Sequence, residues 1–198
     1  MSTYNIVLLD NFDSFTYNLV DELRAMGMQL TVYRNSVSAD KVLQFMQSQG
    51  KDTLLLLSPG PGNPDSAGCM LELLNKVQGK FPVLGICLGH QAITQHYGGT
   101  IGRAPVAVHG KSSPVKHCGD KMFSNLPNPF PVARYHSLMA TTMPDNLQVI
   151  AEYDGIPMAV YHEQDNMLGF QFHPESILTA MGSQLLHQSI EYLTRRAL

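Results

Sequence analysis

Apolar and polar positions along this chain follow two rhythms, one in each half. Residues 4–9 are apolar and β-prone, and the run stops at Asp10. Asp13 or Ser14 can then cap a helix whose apolar positions Phe15, Leu19, Leu23 and Met26 share a face, with Gly27 as its stop. Residues 30–33 read as a second strand, and Ser38 caps a second helix with Val42, Phe45 and Met46 inward, ended by Gly50. Residues 53–57 are continuously apolar, as expected of a strand buried on both faces of a parallel sheet. A loop rich in proline and glycine follows at 58–64, then a helix at about 69–77, a strand at 81–86 and a helix at 89–97. Strands alternating with helices predict parallel pairing through right-handed crossovers.

After Gly98-Gly99 the rhythm changes. Short strand patterns at 106–116, 131–135, 147–153, 158–161 and 168–172 are separated by turns and predict antiparallel or mixed pairing. A closing amphipathic helix at about 183–195 carries Leu185, Leu186, Ile190 and Leu193. The fold class is therefore α/β, a doubly wound and mainly parallel sheet flanked by helices, with a smaller antiparallel sheet portion in the second half. No linker, repeat or low-complexity tract breaks the chain, so 1–198 is read as one domain.

Composition narrows the partners. The net charge of −3 gives no basic excess for nucleic acid, and the apolar run at 54–57 is too short to span a bilayer. The first ten residues have no basic n-region, so no signal peptide is expected. Three cysteines at irregular spacing, Cys69, Cys87 and Cys118, do not suggest a disulfide framework, and a reducing cytoplasm is expected.

The chemistry concentrates at Gly85-Ile86-Cys87-Leu88-Gly89, between a predicted strand and a predicted helix. A sharp strand-to-helix turn exposes its central side chain, and the two glycines let the backbones pack closely. The Cys87 sulfur would sit at a helix N-terminus, with the Leu88 N–H free to bind an oxyanion. The bland reading is a buried structural cysteine. His173 ends an apolar strand, and Glu175 is two residues on, hence on the same face of extended chain. That spacing lets His173 act as base while Glu175 fixes its tautomer. Taken alone, the pair could equally be a strand-end histidine and a helix cap. No cysteine–histidine spacing suits zinc, so no metal is expected.

Four segments resemble the class I, triad-type glutamine amidotransferases. They are Ser-Pro-Gly-Pro-Gly (58–62), Gly-Ile-Cys-Leu-Gly-His-Gln (85–91), Arg-Tyr-His-Ser-Leu (134–138) and Gly-Phe-Gln-Phe-His-Pro-Glu-Ser (169–176). The resemblance covers nearly the whole chain. It implies a Cys87–His173–Glu175 triad and an oxyanion hole from the Gly60 and Leu88 N–H groups. It also implies a glutamine site made by Gly60, Pro61, Gly62, Gln91 and the Ser137-Leu138 backbone. The stretch 10–18 and His109-Gly110-Lys111 are similar to the chorismate-directed branch of that family, the small subunits of anthranilate or aminodeoxychorismate synthases. Residues 62–64, 67–70 and 72–74 lean to the anthranilate side. The branch implies L-glutamine as substrate and, as partner, a chorismate-utilising large subunit. It implies no cofactor in this chain, with Mg²⁺ belonging to that partner. It places His109, Gly110 and Lys111 near the partner interface, whereas the residues alone are as well read as a solvated hairpin turn. His136 could line the site or lie at the surface, and His90 is expected to pack on the core side of its helix. A stand-alone cysteine hydrolase of the γ-glutamyl hydrolase kind and a non-catalytic subunit remain as competing readings.

Overall fold

The computed structural model describes residues 4–195. Its strands are β1 (Asn5–Asp10), β2 (Gln29–Arg34), β3 (Thr53–Leu57), β4 (Val83–Ile86), β5 (Thr100–His117), β6 (Phe130–Thr142), β7 (Gln148–Tyr153), β8 (Ile156–His162) and β9 (Met167–Phe170). The α-helices are α1 (Thr16–Ala25), α2 (Ala39–Gln49), α3 (Met70–Val77), α4 (Leu88–His96) and α5 (Gly182–Arg195). Strand order across the sheet is β2-β1-β3-β4-β9-β8-β7-β5-β6. The five strands from β2 to β9 run parallel, and from β8 onward pairing is antiparallel.

Side-chain alternation explains the double winding. On β1, Ile6 and Leu8 face one layer while Val7 and Leu9 face the other. Leu54 and Leu56 of β3 side with Ile6; Leu55 and Leu57 side with Val7. The first layer is closed by Leu19 and Leu23 of α1 and by Leu185, Leu186, Ile190 and Leu193 of α5. The second is closed by Val42 and Met46 of α2, Leu73 and Leu74 of α3, and Ala92 and Ile93 of α4. All four β3 leucines are fully buried, each burial being worth about 1.5–3 kcal/mol.

Two expectations are corrected. Helix α1 starts at Thr16, so its buried face is Thr16, Leu19, Val20 and Leu23, and Phe15 falls at the N-cap, outside that face. Ser14 forms no cap. The Asp13 carboxylate instead accepts the Phe15 N–H at 2.7 Å, a turn that precedes the helix. The expected antiparallel portion in the second half is present: β9, β8, β7 and β5 continue the main sheet by antiparallel pairing, and β5 and β6 form a ribbon at its end. The start of α2 holds: Ser38 Oγ accepts the Lys41 N–H at 3.3 Å.

Because β1, β3, β4 and β9 are parallel, the segments after them all emerge at one edge of the sheet. These segments are residues 11–15, 58–63, Cys87 and 171–176. Open α/β sheets place their ligands at that carboxyl edge.

Candidate active site

Cys87 joins β4 to α4 with φ 50° and ψ −96°. A non-glycine residue rarely holds such a backbone, and the surroundings enforce it. Its N–H donates to the Phe170 carbonyl at 2.7 Å, and its carbonyl accepts the Gln91 N–H at 3.0 Å. Both flanking glycines are needed for space. A Cβ on Gly85 would lie 2.5 Å from the Gly89 carbonyl carbon, and one on Gly89 would lie 2.6 Å from Leu57 Cβ. The side chain is 7% exposed.

Gly60 lies against the same turn. A Cβ there would come within 2.6 Å of Asn11 Cβ and 2.8 Å of Leu88 Cδ2. Gly60 therefore lies against the Leu88 side chain, and the Leu88 N–H, as a first-turn amide, has no intrahelical partner. Asn11 fastens the loop: its N–H donates to Ser58 Oγ at 2.8 Å and its side-chain amide to the Ser58 carbonyl at 2.9 Å. Pro61 and Gly62 are exposed on the far arm of this loop.

His173 follows β9. Its N–H donates to the Ala133 carbonyl of β6 at 3.0 Å, and its carbonyl accepts the Thr179 hydroxyl at 2.7 Å. Nδ1 lies 2.6 Å from Glu175 Oε1, with both side chains essentially removed from solvent. Phe15 and Tyr135 pack on the ring at centroid distances of 4.9 Å and 5.1 Å. Burial alone would depress this imidazole, but the Cys87 thiol and the Glu175 carboxylate outweigh it and push its pKa up to about 10. Nε2 has no well-formed hydrogen bond among the described residues. It is thus the nitrogen left free toward Cys87, the neighbour that contributes most to raising the ring's pKa.

The remaining expected residues divide. The Gln91 amide donates to the Leu138 carbonyl at 3.2 Å, so these two meet beside Cys87. Ser137 is exposed next to them. His90 packs inward as expected: it is fully buried against Gly169, and burial lowers its pKa to about 3. His136 is buried, not at the surface. His109, Gly110 and Lys111 are not a hairpin turn. They lie within β5 at a bulge opposite Tyr135 and Arg134, where Gly110 has φ 71° and presses on the Tyr135 ring. Burial pushes the Cys69 and Cys118 thiols up, away from nucleophilic character.

Spacing along the chain does not single out Phe15, Tyr135, Asn11 or Gln171 as site residues. Gln171 Nε2 lies 3.5 Å from Cys87 Sγ, and the residue is fully buried. Its signal was present: a polar side chain inside the apolar run Phe170-Gln171-Phe172 needs a buried partner. A cavity of about 520 Å³ borders Glu175 on its outer side, lined by Phe15, Tyr135 and Ile177 among others, and does not include Cys87. Among the described residues, no helix is long and apolar enough to cross a membrane.

This arrangement has the groups that acyl transfer uses: a thiol on a strained turn at a helix N-terminus and an imidazole held by a carboxylate. The chain is 51% identical over 188 residues to anthranilate synthase component 2 of Vibrio parahaemolyticus, covering 95% of each chain. It is 51% identical over 192 residues to the Haemophilus influenzae protein of the same name, covering 97% of this chain and 99% of that one. A solved structure from Thermoplasma acidophilum, of a protein proposed to belong to a GMP synthase, matches the fold with a TM-score of 0.84 at 23% identity, covering 98% of this chain and 96% of that one. The sequence pattern named glutamine amidotransferase class-I matches residues 7–192, and with these full-length relatives the chain belongs to the class-I glutamine amidotransferase family.

Proposed function

We propose that this chain is the glutaminase subunit of an anthranilate synthase. It hydrolyses L-glutamine through a thioester on Cys87 and passes ammonia to a chorismate-utilising synthase subunit. The observation that carries the chemistry is the strained Cys87 beside a His173 whose Nδ1 is committed to Glu175. The near-complete alignment with two proteins named anthranilate synthase component 2 supports the branch and does not favour the folate alternative.

In this mechanism Cys87 Sγ attacks the side-chain amide carbon of glutamine. The Gly60 and Leu88 N–H groups receive the oxyanion, each donor being worth about 3 kcal/mol in comparable sites. His173 Nε2 delivers a proton to the leaving nitrogen, and ammonia departs from the thioester. The same nitrogen then takes a proton from water, hydroxide attacks the thioester carbon, and glutamate leaves as Cys87 is regenerated. The Gly60-Pro61-Gly62 loop and Gln91 hold the glutamine, and the Ser137-Leu138 backbone binds its amino-acid end. None of these steps needs a metal or cofactor from this chain, and Mg²⁺ is assigned to the partner.

Ammonia in neutral water takes up a proton and loses its lone pair, so the partner must cover the site. The exposed apolar side chains support that docking. Ile177 is 95% exposed, Tyr17 74% and Phe12 53%. All three follow β1 or β9, at the edge that carries Cys87. Single exposed apolar residues are ordinary, but a set grouped at one edge marks an interaction surface. His109, Gly110 and Lys111 on the ribbon are assigned to the same contact, and the complex to the cytoplasm.

The test mixes this chain with an anthranilate synthase large subunit, chorismate, Mg²⁺ and glutamine, and follows anthranilate fluorescence. Product is expected with glutamine, is lost with Cys87→Ser, and returns when an ammonium salt replaces glutamine. No glutamine-dependent product from a large subunit that works with ammonium would overturn the assignment.

A further inference from the structure

A connected set of hydrogen bonds runs from the β5–β6 ribbon to the Cys87 sulfur, with donors converging from both sides on the Leu138 carbonyl. Arg134 Nε donates to His136 Nε2 at 3.1 Å. His136 Nδ1 lies 2.9 Å from the Leu138 carbonyl oxygen. That carbonyl also receives the Gln91 amide at 3.2 Å. The same Gln91 nitrogen lies 3.2 Å from Gln171 Oε1, and Gln171 Nε2 lies 3.5 Å from Cys87 Sγ. Arg134, His136, Gln91 and Gln171 are all buried.

The direction of every bond follows from Arg134 at one end and from the Leu138 carbonyl between the two halves. A guanidinium has donors only, so the His136 nitrogen facing it must carry a lone pair. His136 is therefore neutral with its proton on Nδ1, and that N–H donates to Leu138. A carbonyl oxygen accepts only, so Gln91 must present its NH₂ to Leu138. The NH₂ then also serves Gln171, which must offer its oxygen there and turn its own NH₂ to the sulfur. No amide can be flipped without placing like groups against each other, which leaves buried polar atoms unpaired. Arg134 is itself held, by Ser113 Oγ at 3.3 Å and by the Tyr153 ring at 4.9 Å from its centroid.

We infer that Arg134 and His136 are positioning residues for glutamine, acting through the Leu138 peptide, and that Gln171 is a positioning residue for the Cys87 sulfur. The inference rests on the proposed glutaminase reading for its kinetic consequences, but not for its tautomer consequence. The Leu138 peptide is where the amino-acid end of glutamine is assigned. Fixing its carbonyl from two sides fixes the direction of the neighbouring backbone groups that face the substrate. Fixing the sulfur and that peptide in one frame sets the distance between the nucleophile and the bound amide. A misplacement of about 1 Å at such a site costs about a hundredfold.

The experiment uses the full chain in complex with its large subunit, with Arg134→Met, Arg134→Lys, His136→Leu, His136→Asn and Gln171→Met. His136→Leu and Arg134→Met are expected to raise KM for glutamine about ten- to a hundredfold while kcat changes less than about threefold. His136→Asn and Arg134→Lys, which keep a donor, recover most of the lost affinity. Gln171→Met leaves KM near the parent value and slows alkylation of Cys87 by iodoacetamide, read by mass spectrometry, about tenfold. Unchanged KM in His136→Leu, or equal losses in KM and kcat across all five variants, overturns the inference. Nitrogen-15 NMR of labelled histidine in the free chain reads the tautomer without any turnover. His136 is expected as neutral Nδ1–H at pH 7, and as mixed tautomers in Arg134→Met. An Nε2–H ring or an imidazolium at pH 7 overturns the inference even if glutamine is hydrolysed. A correct tautomer in a chain that never hydrolyses glutamine leaves the chain of bonds standing and removes the glutaminase reading alone.

Discussion

His90 and His173 are both buried, one against Gly169 of β9 and the other just beyond the end of that strand, yet their surroundings drive them in opposite directions. Burial pushes His90 down to about 3, with the Gly169 backbone offsetting only part of this and the nearby His136 adding to it. His173 suffers the same burial, but the Cys87 thiol and the Glu175 carboxylate carry it up to about 10. Burial alone makes a histidine a neutral filler. A thiol on one side and a carboxylate on the other turn the same ring into one that can hold and release a proton beside a nucleophile.

Removing the partners should collapse the contrast. The largest effect is expected from Cys87 and His173, the proposed nucleophile and base. Cys87→Ser or His173→Asn is expected to lower glutamine hydrolysis by about ten-thousandfold or more, measured as glutamate release by the complex. A loss of less than about tenfold in either would place the chemistry elsewhere.

Glu175→Gln keeps the size of the side chain and removes its charge. About a thousandfold loss of activity is expected. The His173 titration, followed by histidine NMR, is expected to move downward toward the ordinary value near 6.5. A midpoint that stays where it was would mean that Glu175 is not what lifts the ring.

Gly60→Ala is expected to cost about a hundredfold in kcat, because its Cβ would collide with Asn11 Cβ at 2.6 Å and move the loop away from Leu88. Cys87 should still be alkylated normally, which separates a lost oxyanion donor from a lost nucleophile.

The smallest effect is on stability, and its sign distinguishes the two rings. His90 has a folded pKa below its unfolded value near 6.5, so the unfolded chain binds more protons in acid. Its contribution is present above pH 6.5 and is lost as pH falls toward about 3. His136, lowered to about 4 mainly by burial, acts in the same sense. His173 is raised, so its contribution is present below pH 6.5 and is lost as pH climbs toward about 10. Urea titrations are expected to show His90 alone removing about 2 kcal/mol between pH 7 and pH 5. His90→Met should reduce that slope, leaving the part due to His136, without touching the alkaline limb. A slope unchanged by the substitution breaks the comparison.

How far all this could be read in the sequence depended on how local the signal was. The β3 leucines and the Gly85 and Gly89 flanks announce themselves because periodicity and close packing act within a few residues. The strained turn at Cys87 and the pairing of His173 with Glu175 are legible for the same reason, each set in a short stretch that specifies its backbone. Periodicity places Phe15 on the core face, but a shift of one residue in the start of α1 turns it from that face to the His173 ring. The β5–β6 ribbon was seen only in pieces, since Pro105, Gly110 and Pro114 interrupt the strand pattern while bulges in the pairing absorb part of the irregularity. Gln171, Tyr135 and Arg134 stood within recognised segments, but their partners lie on distant strands, and spacing along the chain does not show which polar groups will meet.

The most direct test of the central claim is mass spectrometry of the complex after exposure to a diazoketone analogue of glutamine. One adduct is expected, on the Cys87 peptide, formed with loss of dinitrogen, suppressed by excess glutamine and slowed in His173→Asn. Adducts on Cys69 or Cys118 instead, or labelling of Cys87 that glutamine does not suppress, would contradict the assignment of Cys87 as the nucleophile that takes glutamine.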